Sequence, residues 1–395
     1  MKHFYRQITL LTLAAALAGC SDEDAPGTPP LPPASERPIY WDVRGVEHPG
    51  TRSLVGPDTK PGEDTPDWIT LQQACTPTAN SGEGKAIGIW ADYSYTQPDG
   101  YVSTVHDIFK GTRLIYNQAS GDNPHSFWNY EGDDLYWFVG GDYKFRAYFP
   151  QKLASYVLSS ANASTFAMSY PSHWVQEDLL VAYKKVNTAN SATDLSQPVD
   201  LSFSHALAAV RFRIQADYVE SGRLTSCWLQ SAADKAFFTD GTLAYGDENN
   251  SEQLTWLPGY FPPVTEHFYY WQNSGVSFST TGTDAEQSRT PATAYTAAGT
   301  TDGKLFADNG GWVLICPQPS TGKLQFCFTL AATGDAVYRV TLPDITAKAQ
   351  DGTESREFLP GKRYTYTITI TKTELDLSLS ISDWNLRESS SQITF

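Results

Sequence analysis

Side chains that could carry out catalysis are scattered along the chain rather than grouped in motifs. The sequence contains seven histidines, and none belongs to a His-Glu-x-x-His motif. Gly-x-Ser-x-Gly, which presents a nucleophilic serine, and the glycine-rich phosphate loop are also absent. The sequence therefore predicts no enzyme, no catalytic residue and no cofactor. Carboxylate pairs that hydrolyse glycosides meet only in the folded chain, so this alternative stays open here.

Two acidic clusters could in principle hold calcium through oxygen ligands. They are Glu131-Gly-Asp-Asp134 and Asp247-Glu-Asn-Asn250, and neither has the spacing of an EF-hand loop. Acidic clusters of this length are more often solvated turns. We therefore predict no metal site.

The cysteines do not indicate zinc, because none of the five belongs to a Cys-x-x-Cys pair. Cys316 and Cys327 flank the stretch Ser320-Thr-Gly-Lys323, which is typical of a hairpin. If the central Thr-Gly dipeptide is a two-residue loop, the two cysteines lie opposite each other, close enough for a strained disulfide. The alternatives are this disulfide and, by default, two small buried thiols.

The N-terminus has the features of a targeting segment that ends in a modified cysteine. Basic residues precede an apolar run over residues 8–18, which is too short to span a bilayer as a helix. The run ends in Leu17-Ala18-Gly19-Cys20, which resembles a bacterial lipobox. Residues 1–19 are therefore predicted to be a signal peptide, and Cys20 to be lipidated and anchored in the outer membrane. The acidic residues after Cys20 resemble the surface-export signal of Bacteroidetes lipoproteins, and residues 20–38 are predicted to form a proline-rich tether.

The composition favours a β-rich protein and excludes some partners. The formal net charge of -16 argues against nucleic acid and against anionic membrane surfaces as partners. Aromatic residues make up 13% of the chain, and 29 glycines and 24 prolines indicate frequent turns. No helical periodicity longer than two turns is visible, so the sequence predicts an all-β fold.

Alternating apolar residues predict strands in both halves of the chain. The first strand spans about Ile39 to Val43, with Ile39, Trp41 and Val43 on one face. A polar, glycine- and proline-rich loop follows as far as about Asp67. Each half of the chain carries about seven or eight such strands, enough for one β-sandwich per half.

The stretch over residues 199–214 marks the passage from the first half to the second. The alternating apolar residues occupy odd-numbered positions up to Phe203. After residue 207 they occupy even-numbered positions, which include Val210 and Phe212. A one-residue slip turns every side chain to the wrong face, so the chain must bulge or change sheet here. We expect Phe203 and Phe212 to lie in the core of the second half. His205 is interpreted as a structural histidine whose ring nitrogens satisfy local backbone groups, with catalysis as the alternative.

Several stretches together resemble the Bacteroidales fimbrillin family, the subunits of type V pili. They are residues 143–150, 201–212, 314–318 and 358–366, followed by 381–385. The matching residues are Phe203, His205, Leu207, Phe212, Pro360, Gly361, Tyr364, Tyr366 and Trp384. Cys316 departs from the usual aliphatic residue. The resemblance covers nearly the whole mature chain and implies two tandem transthyretin-like β-sandwich domains, at residues 39–197 and 198–395, with a structural role.

The resemblance also implies a surface fimbrium that assembles by strand exchange and serves adhesion to a host or bacterial surface ligand. The strand Ile39 to Val43 would fill an open groove until a protease specific for arginine or lysine cuts nearby, with Arg44 and Arg52 as candidate sites. A strand from another pilin subunit would then enter the groove. Ser391 to Phe395 is the candidate donor, with Ile393 and Phe395 on one face.

A second function class is a surface glycan-binding lipoprotein. Exposed tryptophans would then serve as sugar platforms, and the candidates are Trp68, Trp90, Trp128 and Trp174. Packing in the core is the commoner fate of a tryptophan in a β-rich chain.

Overall fold

The computed structural model describes residues 34–44, 71–77, 85–117, 127–151, 158–162, 165–171, 178–216, 222–245, 254–278, 313–320, 322–330, 336–348, 352–370, 375–383 and 391–393. Apart from one short helix, α1 (Leu71–Cys75), the regular structure of these residues is β-strand, which confirms the predicted all-β fold. Within the described residues, no helix is long and apolar enough to cross a membrane.

The strands are short and follow one another closely in both halves of the chain. In the first half they are β1 (Ala34–Pro38), β2 (Trp41–Arg44), β3 (Ile87–Thr96), β4 (Val102–Asn117), β5 (Phe127–Tyr130), β6 (Tyr136–Phe138), β7 (Gly141–Phe149), β8 (Leu158–Asn162), β9 (Thr165–Pro171) and β10 (Leu180–Asn187). The next are β11 (Val199–Ser202), β12 (Ser204–His205), β13 (Ala208–Ala216), β14 (Gly222–Ser231), β15 (Asp240–Tyr245), β16 (Leu254–Tyr260), β17 (Phe268–Phe278), β18 (Val313–Ile315) and β19 (Gln318–Pro319). The last are β20 (Leu324–Leu330), β21 (Val337–Thr341), β22 (Ala347–Lys348), β23 (Glu354–Ser355), β24 (Glu357–Phe358), β25 (Lys362–Ile370), β26 (Leu375–Asp383) and β27 (Ser391–Ile393).

The first half of the chain is built on a six-stranded sheet with the order β12-β10-β7-β3-β4-β5. Its alternating apolar residues, such as Phe109 and Phe145, form one side of an apolar cluster that we call the N-terminal cluster (buried residues from Ile39 to Phe203). The other side comes from the segment before β3, α1, β6 and β11, and includes Trp41 and Trp137. Strand β2 and the preceding Ile39 are therefore part of the core.

The second half is a β-sandwich. A five-stranded sheet, β18-β13-β25-β26-β27, and a four-stranded sheet, β17-β14-β20-β21, enclose the C-terminal cluster (buried residues from Ala208 to Leu379). Phe212 of one sheet stacks on Phe326 of the other with ring centroids 4.2 Å apart. Because aromatic rings of both sheets meet at the centre, the cluster holds the two layers together.

A third sheet, β16-β15-β9-β8, takes two strands from each side of residue 198. It covers the junction cluster, a smaller group of buried residues that includes Tyr148, Leu207 and Cys316. The indole Nε1 of Trp256 in β16 donates a hydrogen bond to the carbonyl oxygen of Ala206 (3.0 Å). This sheet connects the two predicted domains, whose division between residues 197 and 198 stays a prediction.

The segment over residues 199–212 passes through all three clusters. Leu201 and Phe203 pack in the N-terminal cluster, Leu207 in the junction cluster and Phe212 in the C-terminal cluster. The sequence predicted either a bulge or a change of sheet at this point, and the chain changes sheet, because β12 lies in the six-stranded sheet and β13 in the five-stranded one. The expectation that Phe203 lies in the core of the second half is wrong. Phe203 precedes the flip, so its side chain still faces the first core.

A buried tyrosine fixes the turn before a central strand in each half. Tyr143 of β7 accepts a hydrogen bond from the backbone N–H of Phe138, and Tyr364 of β25 accepts one from Leu359 (both 2.8 Å). Each turn contains a glycine in the left-handed region, Gly140 at φ 95° and Gly361 at φ 70°. Burial raises the pKa of both phenols. The device resembles a tyrosine corner, which closes the sandwich where a strand enters the core.

The cysteines are free and buried in the described structure. The expected hairpin between Cys316 and Cys327 is wrong, because β18 pairs with β13 whereas β20 pairs with β14 and β21. Cys316 directly follows β18 and Cys327 lies in β20, so the strands that carry them belong to different sheets, and the default interpretation as buried thiols is confirmed. Burial raises the pKa of the Cys327 thiol to about 12, although the positive charge of Arg339 lowers this pKa in part.

Candidate functional site

The N-terminal segment, residues 34–44, is the element that the sequence singles out for function, and it lies inserted in the first core. Ile39, Trp41 and Val43 are 1%, 6% and 2% exposed, whereas Tyr40 between them is 58% exposed. This confirms the predicted alternation. It also means that residues 39–43 bury one face of the segment.

Backbone pairing holds the segment on two sides. β2 pairs in parallel with β11, with Trp41 opposite Val199, and β1 pairs antiparallel with β6. Between the two strands, the N–H of Ile39 donates to the carbonyl oxygen of Leu135 (2.8 Å), and the N–H of Val199 donates to that of Tyr40 (2.7 Å). The segment thus completes the layer that contains β6 and β11 and faces the six-stranded sheet.

Trp41 is the main apolar anchor of the segment. Its ring packs edge-on against Phe109 and Phe145 of the opposite sheet, with both centroid distances at 5.3 Å. Burying one large apolar side chain contributes roughly 1.5–3 kcal/mol. The described contacts of the buried residues 39–43 are apolar packing and backbone hydrogen bonds, which another strand with the same alternation of apolar residues could also make.

An exposed ion pair adds a contact at the outer end of the segment. Arg37 Nη1 of β1 lies 3.4 Å from Asp194 Oδ1, and both side chains are more than half exposed. Solvent screens such a pair, so it contributes little to stability. Apolar burial therefore dominates the retention of the segment.

The other predicted site residues lie at the end of this segment, in the second half of the chain, or outside the described residues. Arg44 is the last residue of β2, opposite Ser202 of β11. Ile393 lies in β27, which pairs with β26 at the edge of the five-stranded sheet. Cys20, Arg52 and Phe395 lie outside the described residues. The structure therefore places one cleavage candidate in the N-terminal segment and the described part of the donor candidate in the second half of the chain.

Sequence reasoning missed the residues that receive the segment. The alternation of apolar residues predicts that β11 is a strand. Its parallel partner, β2, lies about 160 residues earlier in the chain, and no local sequence pattern indicates which strand β11 pairs with. The sequence pattern that could have indicated this role is the short alternation of Val199 and Leu201. This alternation predicts that one face of the strand is buried, but it does not identify the strand that pairs with it.

The tryptophans proposed as sugar platforms do not form an exposed surface in the described residues. Trp128 is buried in the N-terminal cluster, and Trp90 packs against the junction cluster. Trp68 and Trp174 lie outside the described residues.

The other residues considered for metal binding or catalysis make contacts typical of structural residues. Within the described ranges, no group of three or more His, Cys, Asp or Glu side chains could hold a metal ion. Glu131 of the first acidic cluster binds Arg113 at 2.9 Å, and the second cluster lies outside the described residues. The Nδ1 atom of His205 lies 2.8 Å from Asp178 Oδ2, and both residues are buried. This carboxylate partner was not expected from sequence, and the pair ties β12 to the chain entering β10.

Comparisons with known proteins show to which family this chain is similar. A family model described as fimbrillin-like matches residues 76–384, which is most of the chain. Curated proteins give no significant match. A fimbrial protein from Bacteroides vulgatus is 12% identical, with 88% of this chain and 100% of that chain covered and a TM-score of 0.49. The C-terminally truncated tip fimbrial protein Mfa3 from Porphyromonas gingivalis is 12% identical, with 76% and 95% covered and a TM-score of 0.34.

Proposed function

The chain belongs to the fimbrillin-like family of pilus subunits, which are not enzymes, and from this premise we propose that it polymerises by strand exchange after proteolysis. The family implies a location in a cell-surface fimbrium and association with other pilus subunits. The single observation that carries the proposal is the inserted N-terminal segment, whose buried face belongs to the core of the first half. Adhesion to a surface ligand is the purpose that we infer for the assembled fimbrium.

The first step of the proposal is proteolytic release of the segment. Cleavage after Arg44 or Arg52 by a protease specific for arginine or lysine would free Ile39, Trp41 and Val43 together with everything before them. Cleavage after Arg37 would leave these three anchors in place, so Arg37 is the poorer site. If the chain instead serves as the anchor subunit, no cut occurs and the lipid remains.

The second step is occupation of the vacated groove. Loss of β2 would leave β11 without its strand partner and would uncover apolar rings such as Phe109 and Phe145. Such a surface is unfavourable in water, which favours binding of another apolar strand. The donor that we propose is Ser391 to Phe395 of the next subunit, because Ile393 and Phe395 alternate as the departing anchors do.

Filaments are the expected result when sheared cell-surface material is viewed by negative-stain microscopy with an antibody against this chain. The label should decorate the filaments along their length or at one end, depending on whether the subunit forms the stalk or the tip. Unlabelled filaments, or no filaments, together with glycan-dependent binding of cells, would favour the surface glycan-binding lipoprotein.

Lipidation of Cys20 is proposed as the route of the precursor to the outer membrane. Replacing Cys20 by alanine should give an unprocessed or mislocalised precursor, because the thiol that receives the acyl chains is lost. The measurement is partitioning of whole-cell protein into a detergent phase, with Ser21→Ala as the matched control that should still partition. Unchanged partitioning of Cys20→Ala would contradict this anchor.

A further inference from the structure

Trp41 is the one aromatic side chain among the three buried anchors of the N-terminal segment. Its ring lies edge-on to Phe109 of β4 and to Phe145 of β7, at interplanar angles of 78° and 86°. The flanking anchors, Ile39 and Val43, are aliphatic and also buried. The groove therefore holds a single aromatic ring with an aliphatic side chain two residues away on each side. We call the space that the indole ring fills the Trp41 site.

The walls of the Trp41 site come from residues that lie beyond both cleavage candidates. Phe109 packs edge-on against Tyr130 of β5, with centroids 5.3 Å apart. Phe145 is stacked on Tyr143 at 5.3 Å and lies edge-on to Trp137 at 5.8 Å. These contacts do not involve the departing segment, so they continue to hold both walls after a cut. A site whose walls are ordered in advance loses less entropy when a new side chain binds.

The Trp41 site gives the indole of Trp41 no hydrogen bond. The Nε1–H group is buried and has no acceptor in the part of the chain that the structure describes. The two rings that flank it, Phe109 and Phe145, carry no oxygen or nitrogen atom. A buried donor without an acceptor loses the hydrogen bond that it makes to water in the unfolded chain, which costs free energy. An aromatic ring without a polar atom would fill the same site without this cost.

The proposed donor strand, Ser391 to Phe395, offers one ring of this kind. Phe395 is its single aromatic residue, and Ile393 precedes it by two positions. Trp41 is likewise two residues from an aliphatic anchor in each direction. The phenyl ring can therefore enter the Trp41 site in either strand direction, while Ile393 replaces one aliphatic anchor. The alternative register, with Ile393 in the Trp41 site, would leave part of the space between the two rings unfilled.

We propose that the Trp41 site is the specificity pocket of the groove and that it selects the phenyl ring of Phe395 from the next subunit. The inference rests on the strand exchange proposed above and adds to it a register and a side-chain requirement. Edge-on packing between Phe109 and Phe145 favours an aromatic ring over an aliphatic side chain. The missing acceptor favours phenylalanine over an aromatic residue with a polar atom.

The test is binding of labelled peptides of residues 389–395 to the full mature chain after cleavage by an arginine-specific protease, measured by fluorescence anisotropy. These residues include no arginine or lysine, so the protease leaves the peptide intact. The unmodified peptide should bind the cut chain and not the uncut chain, whose groove is filled. Phe395→Ala should weaken binding by more than about 100-fold, since a large buried ring is lost.

Two smaller changes at the same position separate the two causes of selection. Phe395→Leu should weaken binding about tenfold through loss of the aromatic contacts. Phe395→Tyr should weaken it about tenfold because the added hydroxyl group finds no acceptor. A peptide in which Thr394 and Phe395 are exchanged has the same composition but the opposite parity, and it should not bind. Thr394→Ser is the control on the outer face and should bind as the unmodified peptide does.

A double-mutant cycle between chain and peptide locates the phenyl ring in the groove. Phe109→Leu in the chain should weaken binding of the unmodified peptide severalfold and leave binding of the Phe395→Leu peptide nearly unchanged, because the edge-on contact needs both rings. Phe212→Leu, in the C-terminal cluster, is the matched control and should show no such coupling. The peptide series requires no change in the chain, so it decides the question even where Phe109→Leu perturbs folding.

The outcomes separate this inference from the strand-exchange proposal. Equal binding of the unmodified, Phe395→Leu and Phe395→Tyr peptides, or a cycle without coupling between Phe109 and Phe395, would overturn the inference and leave strand exchange intact. Absence of binding by every peptide would overturn both. Binding that depends on the phenyl ring and is coupled to Phe109 would establish the Trp41 site as the specificity pocket.

Discussion

Polymer ladders on unheated gels are expected to disappear when Arg44 and Arg52 are both replaced by alanine. Without a cut, the N-terminal segment keeps Ile39, Trp41 and Val43 in the core of the first half, and an incoming strand has no groove to enter. Replacing Arg37 by alanine is the matched control. It also removes an exposed arginine of the segment, and ladders should persist because cleavage there is not needed to release the anchors.

Changes in the proposed donor strand, Ser391 to Phe395, test strand exchange independently of the cleavage sites. Deleting Ser391 to Phe395 should also abolish the ladders, because the subunit then has no strand to give. Ile393→Asp should act as the deletion does, since a charge cannot enter an apolar groove without a large cost. Gln392→Asp, on the opposite parity of the same strand, should keep the ladders. Undiminished ladders from both the double arginine mutant and the deletion would end the strand-exchange proposal and leave the glycan-binding lipoprotein as the better account.

A loss of about 3–5 kcal/mol in the free energy of unfolding is expected for Phe212→Ala. Phe212 is fully buried between the two layers of the second half, stacked on Phe326 at 4.2 Å and on Tyr366 at 5.5 Å. Close packing prevents the neighbouring rings from collapsing fully into the space that the substitution creates. Phe203→Ala should cost a similar amount but act on the other core, because Phe203 packs in the N-terminal cluster.

Denaturant unfolding followed by tryptophan fluorescence would measure both substitutions. Tyr101→Ala, at a side chain that is 67% exposed, is the control and should change stability by less than about 0.5 kcal/mol. Since the two phenylalanines contact different clusters, their effects should be nearly additive in the double mutant. An unchanged midpoint for both single mutants would show that neither ring contributes to a core.

The N-terminal segment is the part of the candidate site that the amino-acid sequence predicts best. The alternation of Ile39, Trp41 and Val43 identified a strand with one apolar face, and the structure buries that face. The sequence did not identify β11 as its partner or Phe109 and Phe145 as the rings around Trp41. Those contacts bring together residues far apart in the chain, and no local pattern encodes them.

The cysteines illustrate the opposite outcome. A turn-like Ser-Thr-Gly-Lys stretch between two apolar runs predicts a hairpin, and Cys316 and Cys327 would then face each other. In the structure the flanking strands pair with β13 and β14, in different sheets. A turn residue permits a reversal of the chain but does not choose the strands that pair, because each run finds the sheet in which its apolar face is buried.

The sequence by itself determined the all-β fold, the faces of the strands and the need for either a bulge or a change of sheet between Phe203 and Val210, because the period of two is a property of the extended backbone. It also carried the family pattern. Only the tertiary structure decided that β9 and β15 share a sheet across the two halves, that His205 meets Asp178, and that Phe203 belongs to the first core. These outcomes depend on burial of apolar surface between distant segments, and such burial is a property of the packed chain as a whole.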